Sequence, residues 1–111
     1  MANTLKNVVT NGVGTSEATL YTVPASTTTI LIGLTMANTL ANDQINVSVS
    51  VTDTSAGTTA YIVKNATIAP GGALVPVGGE QKVILETTDV VKVQSSAATS
   101  LDVIASVVEQ S

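Results

Sequence analysis

The sequence predicts an all-β fold, a single antiparallel β-sandwich that is either jelly-roll-like or immunoglobulin-like. Val and Thr dominate the chain, and such β-branched residues suit a pleated sheet better than a helix. Short apolar runs with a period of two recur between clusters of turn-forming residues. The length of 111 residues is typical of one domain with one core. We therefore expect one domain over residues 1–111.

The clearest strand is 45–51, where Ile and Val alternate with Asn and Ser, so that one face is apolar. The preceding segment 28–38 predicts a central strand, with alternate residues from Ile30 to Met36 on one face. Gly33 within it indicates either a β-bulge or a close approach of another backbone, because glycine adds no side-chain packing to a strand, and the bulge is the favoured interpretation. The turn formers at 38–44 predict a hairpin between these two strands. In chain order, roughly eight short strands are expected at this spacing, at 18–23, 28–38, 45–51, 59–64, near Val75, and at 82–86, 90–95 and 101–108.

The composition argues against several classes of partner. Only 11% of the residues are charged, against roughly 25% in an average domain. The only basic residues are four lysines, too few for the basic patch that nucleic acids require. Cysteine is absent, and neither a signal peptide nor a membrane-spanning segment is recognisable. We therefore expect a soluble protein without nucleic-acid or membrane partners.

The sequence offers no catalytic residues. Histidine is absent, which excludes histidine-based triads and dyads. The carboxylates are scattered, and Asp43, Asp53 and Asp89 fall where turn capping accounts for them. Asn42 and Asp43 with Asp53 could offer oxygen ligands to Ca²⁺, but the loop spacing of known calcium sites is missing. We therefore predict no enzyme activity, no cofactor, no metal and no small-molecule substrate.

Two further features are weak signals. The pairs Gly71-Gly72 and Gly78-Gly79 lack the following Lys-Ser/Thr of a phosphate loop, and they predict hairpin turns instead. Tyr21 and Tyr61 are the only aromatic residues. They could form a sugar-stacking platform, although isolated tyrosines in strands more often pack in the core or at an edge.

Several short segments resemble one family of proteins. Residues 20–25, Leu-Tyr-Thr-Val-Pro-Ala, precede a threonine run and the apolar stretch 30–34, Ile-Leu-Ile-Gly-Leu. In this order they resemble the start of small virion structural proteins of tailed bacteriophages. The resemblance implies a β-sandwich incorporated into the particle, as a head decoration or cement protein or otherwise a neck, tail or fibre component. It continues at 61–66, 77–83, 88–93 and 101–104.

On this basis we expect a non-enzymatic protein located in the virion after synthesis in the host cytoplasm. Its partners would be the major capsid protein or other virion proteins, and it would itself form a dimer or trimer. A glycan-binding module on a tail or fibre is the alternative. Residues 1–14 are polar and are expected to form either an extended arm or a frayed terminus. The residues assigned to the interface are Asn3, Thr4, Leu5, Val8 and Val9.

Overall fold

A computed structural model describes residues 2–78 and 81–111 and confirms the antiparallel β-sandwich. These residues contain nine strands, one more than the roughly eight expected. The strands are β1 Asn3–Val13, β2 Ala18–Thr22, β3 Thr28–Asn38, β4 Ile45–Asp53, β5 Thr58–Ile68, β6 Ala73–Val77, β7 Val83–Leu85, β8 Val90–Ser95 and β9 Leu101–Gln110.

The strands form two sheets. Sheet A has the order β1-β9-β3-β6, and β7 also pairs with β3. Sheet B has the order β2-β8-β4-β5. All pairings in both sheets are antiparallel.

The core between the sheets is built from aliphatic side chains and one methionine, Met36. Alternate residues of each central strand point inward, as the period of two predicts. Each fully buried side chain of this size contributes roughly 1.5–3 kcal/mol. The largest completely buried residues are Leu31, Leu34, Met36, Ile45, Leu85 and Leu101.

The predicted hairpin between 28–38 and 45–51 is wrong, because β3 lies in sheet A and β4 lies in sheet B. Residues 39–44 instead cross from one sheet to the other. Asn38, only 2% exposed, holds this crossover. Its Nδ2 group donates to the carbonyl oxygens of Asp43, Ile68 and Ala69 at 2.8, 3.1 and 3.2 Å. Its Oδ1 atom accepts the N–H of Leu40 at 2.9 Å.

The predicted bulge at Gly33 is confirmed. The register between β3 and β9 shifts between Leu31 and Gly33, which leaves Ile32 without a direct partner. A bulge changes the side on which the following residues point. The expectation of one face from Ile30 to Met36 is therefore wrong, because Met36 is buried while Ile30 is partly exposed on the outer side.

Residues 3–13 lie in the sheet as β1 rather than extending from it. Asn3 to Thr10 pair with β9 in unbroken register. The register shifts only after Thr10, where Gly12 has a φ of 65°. An edge strand buries little apolar surface and can therefore be as polar as a free arm. The polar composition of this segment is for this reason compatible with both. The assignment of 1–111 to one domain stays a prediction.

The predicted turns at 54–58 and 87–89 are confirmed in position. The chain does turn at Pro70 and Gly71, but the predicted hairpin at Gly71-Gly72 is wrong, because β5 lies in sheet B and β6 lies in sheet A. Gly71 has a φ of 68°, a left-handed conformation that glycine adopts without steric cost. The predicted turn at Gly78-Gly79 lies partly outside the described residues.

Candidate interaction surface

The outer face of sheet A carries a row of aliphatic side chains that crosses four strands. Leu5 on β1 pairs with Val108 on β9, which pairs with Ile30 on β3, which pairs with Ile84 on β7. Directly paired side chains in a sheet lie on the same face and in contact distance. The four residues therefore form one continuous apolar stripe on the surface of the protein.

A second row crosses the same face. Val9 on β1 pairs with Ile104 on β9, and Ile104 pairs with Thr35 on β3. The side chains of Val9 and Ile104 are 60% and 53% exposed. On β6, Val75 is also exposed. We call this surface the apolar face, and it comprises Leu5, Val9, Ile30, Val75, Ile84, Ile104 and Val108.

Small residues separate the two rows. Asn7 pairs with Ser106, and Ser106 pairs with Gly33. Because these side chains are short, the face dips between the rows into a shallow groove of about 380 Å³. The bulged residue Ile32 lines this groove together with Leu5.

The outer face of sheet B is different in character. Its strands present Asn46, Ser48 and Thr52 from β4 and Lys92 and Gln94 from β8 to the outer side. Monomeric proteins rarely expose a contiguous apolar patch of more than a few hundred Å², and a larger one marks an interaction site. The contrast between the two faces makes the outer face of sheet A the candidate interaction surface.

A polar groove of about 330 Å³ lies on sheet B. Its polar groups already bind one another: Gln94 Nε2 donates to the Thr15 carbonyl oxygen at 2.7 Å, and Ser48 Oγ accepts the N–H of Asn65 at 3.0 Å. Because these polar groups already have hydrogen-bond partners within the protein, few are left to bind a ligand. The lining residues are Thr15, Asn46, Ser48, Asn65, Gln94, Ser95 and Ser96.

The five residues assigned to the interface divide between the two sides of β1. Asn3, Leu5 and Val9 alternate on the outer side, where Leu5 is 77% exposed. Thr4 and Val8 alternate on the other side, and Val8 packs against the core. The interface role of all five stays a prediction.

The sequence reasoning missed the apolar face outside β1. The signal for it is present in β3 and β9, where apolar residues occupy both faces of the strand, as in Ile30-Leu-Ile32 and Val107-Val108. A half-buried strand should alternate apolar and polar residues. Consecutive apolar residues in a strand therefore indicate a second contact surface.

The two tyrosines do not form one platform. Tyr21 lies on β2 and Tyr61 lies on β5, at opposite edges of sheet B. Tyr21 instead links the two sheets, because its hydroxyl donates to Glu109 Oε2 at 2.5 Å and shares a hydrogen bond with Thr29 Oγ1 at 2.9 Å. Lys6 Nζ lies 3.6 Å from the other oxygen of Glu109. Tyr61 is exposed at the other edge of the sheet. Because the two rings lie at opposite edges, they offer no shared surface for stacking a sugar.

This link predicts a pH dependence of stability. Burial, followed by the hydrogen bond to Glu109, raises the pKa of Tyr21 to about 12. The neutral hydroxyl is the stabilised form, so its contribution is complete below the unfolded pKa of about 10 and is lost as the pH rises towards 12. In a Tyr61→Phe variant, tyrosinate absorbance should rise near pH 12 together with unfolding. Ionisation near pH 10 without loss of structure would contradict the link.

The carboxylates predicted as turn caps fall into two places. The Ser55 hydroxyl donates to Asp53 Oδ1 at 2.8 Å, and the N–H groups of Ala56 and Ser55 donate to the same atom at 3.2 and 3.1 Å. These hydrogen bonds, the one from the hydroxyl first, lower the pKa of Asp53. Asp43 precedes the other end of β4, roughly 30 Å away at about 3.3 Å per residue. The calcium hypothesis that joined Asp43 with Asp53 is therefore wrong.

Asp53 does approach two other carboxylates. Ligand oxygens of Asp53, Glu86 and Asp89 lie within 4.8 Å of one another. Both oxygens of Asp89 accept backbone N–H groups, from Thr54 at 3.2 Å and from Glu86 at 3.0 Å. These hydrogen bonds give the cluster a role in joining turns.

The described residues contain no helix with the length and hydropathy needed to cross a membrane. No protein-family model matches the chain, and no curated protein resembles it in sequence.

Solved structures show similarity in fold. The structure of infectious bursal disease virus strain Gx aligns over 96% of this chain with a TM-score of 0.56 and 11% identity. The VP2 subviral particle of infectious bursal disease virus aligns over 96% with a TM-score of 0.53 and 11% identity. A pentameric capsid protein from metagenomic phage sequences aligns over 96% with a TM-score of 0.45 and 15% identity.

The chain spans about a third of the length of the first two of these proteins, 32% in each case, and 62% of the third. At identities this low, the first two matches show a common β-sandwich fold.

Proposed function

We propose that this protein is a non-enzymatic structural component of a virus particle, and specifically a decoration or cement protein that binds the major capsid lattice through the apolar face. The observation that carries the proposal is the apolar stripe Leu5–Val108–Ile30–Ile84 across the outer side of sheet A. The shared fold with infectious bursal disease virus VP2 supports it. The resemblance to tailed-phage virion proteins supports it independently.

The mechanism is contact rather than turnover. Burying a flat aliphatic face against a lattice stabilises both partners by roughly 25 cal/mol per Å² of apolar surface removed from water. The apolar face offers side chains from β1, β3, β6, β7 and β9 of one rigid sheet. Few residues need to become ordered on binding, which lowers the entropic cost of association.

The copy number in particles tests this function. Virions purified from the source of this chain should contain it in numbers comparable to the major capsid protein, retained on isolated heads, as quantified by mass spectrometry. A few copies that follow the tails would move the protein to the neck, baseplate or fibre. Absence from the particles would refute a virion role.

A charge in the second row of the apolar face should weaken binding to the lattice. Ile104 lies on β9, between β1 and β3, and its side chain is more than half exposed. Ile104→Lys should therefore fold normally but bind particles lacking the protein at least about thirty-fold more weakly, because the contact would have to remove the ammonium group from water.

The matched control is Thr22→Lys, which places the same charge at an exposed position on β2 of sheet B. Co-sedimentation with particles measures both variants. Equal loss in both variants would point to net charge rather than to the apolar face, and unimpaired binding of Ile104→Lys would place the contact elsewhere.

A further inference from the structure

The edges of the two sheets are protected unequally. Strand β2 has five residues and a register shift, and β6 has five residues, a register shift and Pro76. Strand β5 is long, but its register with β4 shifts twice, and Asn65 has a φ of 55°. Short strands, prolines and bulges prevent pairing with another chain. Strand β7 also lies at an edge, but it has only three residues. Among the longer edge strands in the described residues, β1 is the one that keeps an unbroken register, from Asn3 to Thr10.

The free backbone groups of β1 belong to its odd-numbered residues. Ala2 exchanges both backbone hydrogen bonds with Ser111. In an antiparallel pair such doubly bonded positions alternate with positions whose groups point away. Since the register is constant up to Thr10, the N–H and C=O groups of Asn3, Leu5, Asn7 and Val9 face the open edge.

We propose that β1 pairs with β1 of a second copy of this chain, antiparallel about a two-fold axis at Asn7. An antiparallel strand is complementary to itself, as a two-fold interface requires. Because the free backbone groups belong to odd-numbered residues, each odd residue must pair with an odd residue of the second copy. The two-fold axis then passes through a residue rather than between two residues. Centred on Asn7, it places Leu5 opposite Val9 of the partner copy and Asn7 opposite Asn7, with about six backbone hydrogen bonds.

Charge favours the register centred on Asn7 over the register centred on the adjacent residue, Lys6. Lys6 is the only charged residue of β1. A register centred on Lys6 would place two lysines directly opposite each other, which is destabilising. Centred on Asn7, Lys6 lies opposite an uncharged Val8, and its own charge is compensated by Glu109 at 3.6 Å.

A second copy also fits the chemistry of the edge. The chain has a net charge of −4, yet β1 contributes one positive charge and no negative one. Pairing through β1 therefore brings no carboxylate of this strand against the second copy. The pairing would join both sheets A into one surface, on which Leu5 and Val9 of the two copies extend the apolar rows across the axis. The inference does not depend on the virion role.

An edge of this size gives a weak dimer. Standard interfaces use roughly 20–30 residues a side, and β1 provides eleven. Sedimentation velocity of the purified full chain should show a reversible dimer that becomes populated at high micromolar concentration. Asn7→Pro, which lacks the N–H at the axis, should be monomeric at every concentration. Asn7→Ala, which keeps the N–H, should dimerise like the parent.

Disulfide formation tests the register by a second route. It does not require the Asn7→Pro variant to fold. The chain has no cysteine, so a single introduced cysteine reports only on its counterpart in the second copy. Doubly bonded residues lie about 5.5 Å apart between Cα atoms, within disulfide range. Asn7→Cys should form a covalent dimer on mild oxidation, at least tenfold faster than Leu5→Cys or Ile104→Cys.

Two results would overturn the pairing. Faster cross-linking of Ile104→Cys than of Asn7→Cys would show association through the apolar face. A monomer at all concentrations with no cross-linking of Asn7→Cys would show that the edge does not take a second copy, whatever the outcome with virus particles.

Discussion

Asn38→Ala is expected to destabilise the protein by about 3 kcal/mol, a large part of the roughly 5–15 kcal/mol that stabilises a typical domain. The buried amide of Asn38 serves three carbonyl oxygens and one N–H group. Removing it leaves these groups without their partner where water enters poorly. Asn38→Asp should cost more, because a carboxylate would face three carbonyl oxygens. Urea unfolding measures both variants.

Asn42→Ala is the control for this prediction. Asn42 lies in the same crossover and is exposed, so its replacement should change the free energy of unfolding by less than about 0.5 kcal/mol. A loss below about 1 kcal/mol for Asn38→Ala would mean that other contacts hold the crossover between the sheets.

The sequence predicted most strands because local alternation determines them. Segments 28–38 and 90–95 coincide with β3 and β8, and the bulge at Gly33 was predicted from a single residue type. The face of Ile30 was predicted wrongly from the same segment. A period-two pattern cannot show that an inserted residue reverses the direction of the side chains, because Ile30 and Ile32 are equally apolar.

Long-range pairing could not be predicted. The turn residues at 38–44 indicate where the chain reverses, but the choice between sheets depends on contacts of Asn38 with residues thirty positions away, Ile68 and Ala69. The edge position of β1 depends likewise on its pairing with β9. A strand at an edge can be as polar as an arm, so composition did not separate the two.

The two proposed contacts use different parts of the same sheet. The apolar face presents side chains, whereas the edge of β1 presents backbone groups. Leu5 and Val9 belong to both, because in β1 the residues with free backbone groups also point outward. Pairing at the edge would therefore double the area of the apolar face and let one dimer bind two neighbouring lattice sites. Such bivalent binding strengthens attachment without any new type of contact.

Asp89 joins three turns at one end of the sandwich. It is 4% exposed, and its carboxylate accepts backbone N–H groups from the β4–β5 turn, at Thr54, and from its own turn, at Glu86. Its backbone carbonyl oxygen accepts the N–H of Val23, which follows β2, at 2.9 Å. The side chain thus connects segments that approach only in the folded state.

Asp89→Ala should lower the free energy of unfolding by roughly 2–4 kcal/mol, because two buried N–H donors lose a charged acceptor. Asp89→Asn should lose somewhat less, since the remaining Oδ1 can still accept one hydrogen bond while the new amide faces the other donor. Asp43→Asn removes the same charge at an exposed position and should change stability by less than about 0.5 kcal/mol. Thermal unfolding of the three variants measures the order. If Asp43→Asn and Asp89→Asn were equally destabilised, net charge would explain the loss; if Asp89→Ala matched the parent, the turns would be joined by their backbone contacts alone.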